Sequence, residues 1–528
     1  MRASCRSLVL ACVALYLLVV AVVWFAIRHA DGGHFIYALD DAYIHLALAE
    51  NIARGHYGIN AIEASSPSSS ILWPFLLVPF AGKAWHIYVP LFWNVLFGIA
   101  ATCLIAGAIH RWPPQADENG RMAWGKQLLT ALFVMLTANL ASLTFLGMEH
   151  VLQVLIAICC AFGMMEALSG RRIPNWCIAA AVIGPAVRYE DLSLTVAIGL
   201  ALWGLGERKK AGAVIALSLI PLIGFSLFLR NHQLPMLPTS VMVKGGVYST
   251  HASLAHRLVR LVGGDLNQAI TKSARWPVLV LFLVFVPIFW QERVKARRYV
   301  FAGVLLVGIM HLALGRFGWF FRYEVYALIL LTMILLRVLA EQPRFLFGYF
   351  VLGLVFCAAP YIAALHATVT ATHDVYGQQY QMHRFANDFY GHDFAVNDLG
   401  MVSYQKPLGT YVLDVFGLAS PEASRQVSKT PEWLDGIVKR HGVKLAMLYP
   451  EWFDIPLNWI PVAKMCLDKT PMINDEQCMV FYSTSAEAEP EIRADLMRFE
   501  PTLPKRVVFR FDPERREGGY PMPPPHHK

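Results

Sequence analysis

The chain has 528 residues, 56% of them hydrophobic and only 16% charged, with a mean hydropathy of +0.46. Soluble domains carry about 25% charged residues, so most of this chain reads as membrane-embedded and a purely soluble enzyme is excluded. The net charge of +8 is not a nucleic-acid signal, because residues 1–369 hold 28 Lys and Arg against 16 Asp and Glu, whereas residues 370–528 hold 17 against 21.

The first element is an apolar run from Leu8 to Ile27 behind a basic start. It exceeds the ~7–15 residues of a secretory core and lacks a small-x-small cleavage site, so it reads as an uncleaved signal-anchor helix. Next comes LDDAYIHLALAENIARG, with Asp40 and Asp41 side by side at the start of an amphipathic helix and His45 on the same helical face as Asp41. Ile71 to Phe80 reads as a short helix that dips into the membrane. Apolar segments follow at 85–109, 127–146, 148–168, 175–188, 191–205, 211–229, 276–290, 299–314, 325–340 and 345–366. With the first run, these predict a membrane all-α bundle of about eleven transmembrane helices, some shorter than the ~20 residues a perpendicular span needs.

Loop charge orients the bundle. With the N-terminus in the cytoplasm, alternate loops inside carry Arg111, Arg121 and Lys126; Arg171 and Arg172; Arg208, Lys209 and Lys210; Arg293, Lys295, Arg297 and Arg298; and Arg337 with Arg344. The long loop 231–275 falls outside although it is basic too, with Arg257, Arg260, Lys272 and Arg275. An odd number of spans sends the C-terminal part outside. The expected setting is a bacterial inner (cytoplasmic) membrane, multi-pass, with a periplasmic C-terminal domain.

From Asp374 the pattern alternates: helix-like YGQQYQMHRFANDFYG, then strand-like FAVND, YVLDVF, LAMLYP, CMVFYS and VVFRF, with helix-like PEWLDGIVKRHG between. Residues 1–369 are thus expected to form the transmembrane domain, 370–515 a small soluble α/β domain, and 516–528 a disordered tail. Asp398 and Asp414 fall at strand ends, where turn-making accounts for both. Cys466 and Cys478 bracket a Pro/Asn/Asp turn and predict a hairpin disulfide in an oxidising compartment. The other seven cysteines lie in or beside apolar spans, as packing residues.

This topology places an unusual set of ionisable residues at the outer face: Asp40 and Asp41; Glu149 and His150 in GMEH; Arg188, Glu190 and Asp191 in RYED; Lys244 in LPTSVMVK; and Arg316, Arg322 and Glu324 in GRFGWFFRYEVY. Each has a plain reading. Asp40 suits an N-cap, Asp41 a first-turn carboxylate, Glu149–His150 a cap on the next span, each Arg-Tyr-Glu an ion pair, and Lys244 a snorkelling lysine. Charges at membrane depth are costly and normally face one another or a water-filled cavity, and five segments delivering them to one face is poorly explained residue by residue. The chemistry suited to such a set is attack of an acceptor hydroxyl on an activated sugar carbon with departure of a lipid phosphate. A carboxylate, Asp40, acts as general base with Asp41 beside it; Lys244, Arg322, Arg188 and Arg316 grip the phosphate; His45, Glu149, His150, Glu190, Asp191 and Glu324 support the site or the acceptor. Asp40 and Asp41 also suit a hard divalent cation such as Mg or Mn.

The same residues resemble the GT-C class of polytopic glycosyltransferases, through LDDAYIHLALAENIARG, ASSPSSSILW, GMEH, RYED, LPTSVMVK and GWFFRYEVY. Within it the likeness is nearest to bacterial relatives of the actinobacterial cell-wall arabinofuranosyltransferases. The resemblance implies a polyprenyl-phosphate sugar donor, possession of a membrane-lipid site, a glycan, lipid or protein acceptor in the cell envelope, no nucleic-acid partner, and a catalytic base at the first aspartate, Asp40. The second acidic residue is Asp41, where many members of the class carry Glu. Two other classes of function remain open at this point: a transporter or flippase of a polar or lipid-linked substrate, and a non-catalytic partner in envelope polymer assembly.

Overall fold

The computed structural model describes residues 4–113, 123–244, 276–341, 344–472 and 476–514. The side chains of Lys244 and Arg344, the loop residues Arg121, Arg257, Arg260, Lys272 and Arg275, and the tail 516–528 lie outside the described part. The chain forms two compact units. One comprises Met1–Phe25, Leu91–Gly224 and Ala252–His366; the other comprises Ala26–Pro90, Phe225–His251 and Ala367–Lys528. Residues 26–90 and 225–251 thus group with the C-terminal stretch.

Among the described residues five helices are long and apolar enough to cross a membrane: Cys5–Ala30, His86–Arg111, His150–Leu168, Arg208–Asn231 and Lys295–Leu314. Asn175–Val187, Trp276–Gln291 and Val325–Leu339 are shorter apolar helices. This is the make-up of a multi-pass membrane protein. The figure of eleven spans is not reached by this measure among the described residues, and for three of the expected spans the reasons are local. The expected span 127–146 breaks at Asn139 (φ 52) into Trp124–Thr137 and Leu140–Thr144. The expected spans 175–188 and 191–205 shorten to 13 residues each, on either side of a turn at Tyr189–Asp191. The expected span 345–366 lies within one helix, Arg344–Gly377.

Burial separates outer from central helices. In Cys5–Ala30 a single stripe of Leu8, Cys12, Tyr16, Val20, Val23 and Ile27 is buried, while Leu10, Leu18, Val22 and Phe25 are exposed. An apolar helix with an apolar exposed face is suited to lipid. His150–Leu168 and Val325–Leu339 are instead buried almost all round. Lys295–Leu314 packs closely on Leu192–Gly204: a Cβ added at Gly303 would lie 3.0 Å from Ala197 Cα, so small residues let the backbones approach.

In the second unit a six-stranded mixed sheet has the order β2-β1-β3-β5-β4-β6. Its strands are β1 (Phe394–Val396), β2 (Val412–Asp414), β3 (Leu445–Leu448), β4 (Ile460–Leu467), β5 (Cys478–Ser483) and β6 (Val507–Phe511). β1 pairs parallel with both β2 and β3, and the remaining pairings are antiparallel. The helix Pro431–Arg440, capped by Thr430, turns Leu434, Ile437 and Val438 onto Leu413, Ala446 and Trp459. Cys466 and Cys478 face each other across the β4–β5 ladder and their sulfurs are bonded.

Candidate active site

Each unit gathers three of the motifs singled out in the sequence. In the first unit, Glu149 ends the turn before helix His150–Leu168, and its carboxylate does not cap that helix. It accepts instead from Arg188 Nη1 at 2.8 Å. Glu190 takes the other side of the same guanidinium, from Nη2 at 2.8 Å and Nε at 3.2 Å. The Arg188 guanidinium lies 5.7 Å from the Tyr323 ring centre, that of Arg322 lies 4.9 Å from it, and the His150 ring meets Tyr323 edge-on at 6.0 Å. Arg322 also donates to the Tyr323 hydroxyl at 2.9 Å and to Met148 Sδ at 2.6 Å. His150 Nδ1 lies 3.2 Å from Gln153 Oε1, and Gln153 Nε2 donates to Asp191 Oδ1 at 2.9 Å. GMEH, RYED and GWFFRYEVY therefore meet around one tyrosine. Cations on an aromatic face, each also held by hydrogen bonds, form a rigid group. The Arg-Tyr-Glu repeat drew notice in the sequence for its charges; its middle residue, Tyr323, is the one around which they gather.

Arg322 is delivered by an unusual backbone. Gly318, Trp319, Phe320 and Phe321 all have left-handed φ, at 80, 53, 63 and 55°. Three such non-glycine residues in succession cost of the order of 1–2 kcal/mol each and mark a segment held by its surroundings. Gly318 N donates to Glu324 Oε2 at 3.2 Å, and Asn139 Nδ2 donates to the Phe320 carbonyl at 2.9 Å. Asn139 also borders an apolar cavity of about 130 Å³ that includes Leu15, Val19, Leu132, Met135 and Tyr361. Arg316 is exposed, outside the enclosed group.

In the second unit, Asp40 immediately precedes helix Asp41–Ala53 but does not cap it. Its carboxylate reaches across to another helix start, with Oδ2 accepting from Gly400 N at 2.6 Å and Oδ1 from Met401 N at 2.7 Å. The approach is so close that a Cβ at Gly400 would lie 2.0 Å from the Asp40 carbonyl oxygen. The Asp398 carboxyl lies within hydrogen-bond reach of Asp40. Asp398 Oδ2 in turn accepts from Gln379 Nε2 at 2.8 Å and from the Tyr449 hydroxyl at 3.0 Å. Burial, then the charge of Asp398 and its hydrogen bond, push the Asp40 carboxyl well above the ordinary range, outweighing the two amides that lower it. A carboxyl neighbour makes the Asp40 carboxyl harder to ionise. Asp398, assigned to turn-making from sequence, is thus the neighbour that sequence reasoning missed; its one local sign was its place just beyond a strand end.

Asp41 occupies the first turn of its helix. His45 is buried, its Nδ1 3.1 Å from Ser68 Oγ. Ser68 O accepts from Ser240 Oγ at 2.8 Å, and Ser66 O accepts from Thr239 N at 3.0 Å. So LDDAYIHLALAENIARG, ASSPSSSILW and the start of LPTSVMVK also come together, and His45 is a member of that packing. Asp414, by contrast, is a turn-maker: its oxygens accept the amides of Phe416, Gly417, Leu418 and Ala419. Among the described residues no group of three or more His, Cys, Asp and Glu is placed to hold a metal. Both oxygens of Asp40 already accept backbone amides, and no step is routed through a metal.

A family model matches residues 368–482, described as a domain of unknown function (DUF8728). It covers the sheet domain from the end of the long helix to β5. No curated protein matches the chain. Among solved structures the chain is similar to ArnT from Cupriavidus metallidurans bound to undecaprenyl phosphate, at 12% identity and TM-score 0.41, over 90% of this chain and 98% of that one. It is similar to an Archaeoglobus fulgidus oligosaccharyltransferase in complex with Zn and sulfate, at 10% and 0.41, over 93% and 74% of the two chains. It is also similar to the Archaeoglobus fulgidus oligosaccharyltransferase AglB in complex with an inhibitory peptide and a dolichol-phosphate, at 12% and 0.38, over 90% and 74%. Likeness at this level does not bear on the chemistry of this chain.

Proposed function

We propose that the chain is a GT-C-type membrane glycosyltransferase. It moves a sugar, a pentofuranose on the arabinofuranosyl resemblance, from a polyprenyl-phosphate donor to an envelope glycan, lipid or protein at the outer face of a bacterial inner membrane. The observation that carries this reading is Asp40: a carboxyl fixed by two amides and raised in proton affinity by burial and by Asp398. A carboxyl of raised proton affinity takes up a proton more readily, as a general base must. The acceptor hydroxyl gives its proton to Asp40 while its oxygen bonds to the anomeric carbon. The bond from that carbon to the phosphate oxygen breaks, and polyprenyl phosphate leaves with the electron pair.

Arg322, Lys244 and Arg316 are the residues whose type suits a phosphate. Arg188 fits that task less well than its residue type suggested, because Glu149 and Glu190 already occupy its guanidinium and a phosphate would have to displace one. Arg188 is therefore assigned to holding Tyr323 and the two glutamates. Enclosure of the ion-paired group at helix ends favours this reading over a transporter.

The test is genetic and chemical. In a strain lacking the chain, mass spectrometry is expected to show one sugar missing from envelope glycans and its polyprenyl-phosphate form accumulated. Complementation by the wild type restores both and by Asp40→Asn restores neither. Unchanged glycans and lipid-linked sugars in the deletion strain would refute the proposal.

A further inference from the structure

The C-terminal sheet domain carries no assigned task, yet the amides of Gly400 and Met401 bind the Asp40 carboxylate directly. Three observations bear on why. First, β1 lies between β2 and β3 and runs parallel to both. The chain leaves β1 to one side for β2 and crosses to the other for β3, so the carboxyl end of β1 is the topological switch point of this part of the sheet. Open α/β sheets place functional groups in the crevice at that point, and Asn397, Asp398 and the amides of Gly400 and Met401 are the residues found there. Second, the place is shaped for a carboxylate. Gly400 leaves no room for any side chain beside Asp40, and the amides of Gly400 and Met401 point at its oxygens. Third, Asp398 is not left to wander: Gln379 and Tyr449 both donate to its Oδ2, and Tyr449 N is itself fixed by Asn397 Oδ1 at 2.9 Å. A structural tether would need the amides only. Placing a second carboxyl, oriented by two donors, against the first adds repulsion unless a proton is shared.

We propose that the Asp398–Met401 turn of the C-terminal domain is a positioning element of the transferase centre, in which Asp398 acts through Asp40 by fixing its orientation and by sharing with it the proton that Asp40 takes from the acceptor. This rests on the reading of Asp40 as base. Asp398 touches neither donor nor acceptor and forms no bond in the reaction; the proton taken from the acceptor hydroxyl passes to Asp40 and is held on the carboxyl pair. The other titratable groups facing the pair are Tyr43, on the helix that Asp40 precedes, His383, whose ring reaches the Met401 backbone, and Tyr449. None places a positive charge against the pair. The inference gives the matched domain of unknown function a defined part in catalysis.

The test uses the full chain in lipid, with transfer from a polyprenyl-phosphate sugar followed across pH and folding checked by thermal melting. Asp398→Asn removes the neighbouring charge, so Asp40 gives up its proton more readily and the acidic limb of the kcat/KM profile moves to lower pH. The same variant is expected to lower kcat about tenfold or more, within the range of acid–base contributions, with the donor KM held within about twofold. If Asp398→Asn fails to fold, Tyr449→Phe, which withdraws one donor from Asp398, is expected to lower kcat with the donor KM likewise unchanged. A folded Asp398→Asn with wild-type kcat and pH profile, or failing its folding a Tyr449→Phe with wild-type kcat, overturns the inference while an inactive Asp40→Asn leaves the transferase reading standing. Wild-type transfer by Asp40→Asn removes both.

Discussion

Arg188 is buried between two carboxylates, with Glu149 wholly enclosed on one side and Glu190 on the other. Removing one partner of such a buried group leaves uncompensated charge, at a cost of about 3–5 kcal/mol. Arg188→Gln is therefore expected to lower the thermal melting temperature markedly, and Arg188→Gln with Glu149→Gln to recover part of the loss; equal melting of Arg188→Gln and wild type would contradict the pairing. The residue types of this group were legible in the sequence because charges at the ends of apolar runs need partners. Their exact pairing was not, since Arg188 could have gone to its neighbour Glu190 alone. Asp398 was illegible for a stronger reason: 360 positions separate Asp40 from Gly400, and nothing near either residue signals the other.

At the scale of elements, the β4–β5 hairpin shows what local pattern can carry. Two strand-like pieces around a turn, each with a cysteine, predicted a bridge, and the Cys466–Cys478 bond joins directly opposed residues. Closing a loop of this length contributes about 3 kcal/mol by restricting the unfolded chain. Cys466→Ser with Cys478→Ser is expected to lower the stability of the second unit toward denaturant by about 2–3 kcal/mol, read from loss of near-UV ellipticity; an unchanged midpoint would contradict it. The strands β1, β2, β3, β5 and β6 match the alternating runs closely, because short apolar β-branched segments between turn signals leave few other choices. The helical spans were less legible. Apolar composition alone cannot reveal that Asn139 adopts a left-handed conformation and breaks a 20-residue run, nor that Trp319–Phe321 wind left-handed ahead of Arg322, since hydrophobicity reports burial and says little about backbone handedness.

At the scale of the molecule, loops assigned to one side by their charge do share ion pairs within the first unit. Arg111 and Arg171, from different loops, both bind Glu166, and Arg297 and Arg337 both bind Glu341. Charge marks these loops in the sequence because moving cations across lipid is costly. The composition of the two units was not readable, because each draws on three separated stretches and composition shifts mark boundaries along the chain only. The central claim is that Asp40 is the base of a lipid-linked sugar transfer. Its most direct test is to reconstitute the full chain in liposomes, supply a panel of polyprenyl-phosphate sugars that includes the arabinofuranosyl form, and quantify glycosylated acceptor by mass spectrometry for wild type and Asp40→Asn. The account predicts turnover of at least one donor by the wild type and a loss of about 10²–10⁴-fold in the variant, with its melting temperature showing an intact fold. Equal turnover by the two proteins would contradict it.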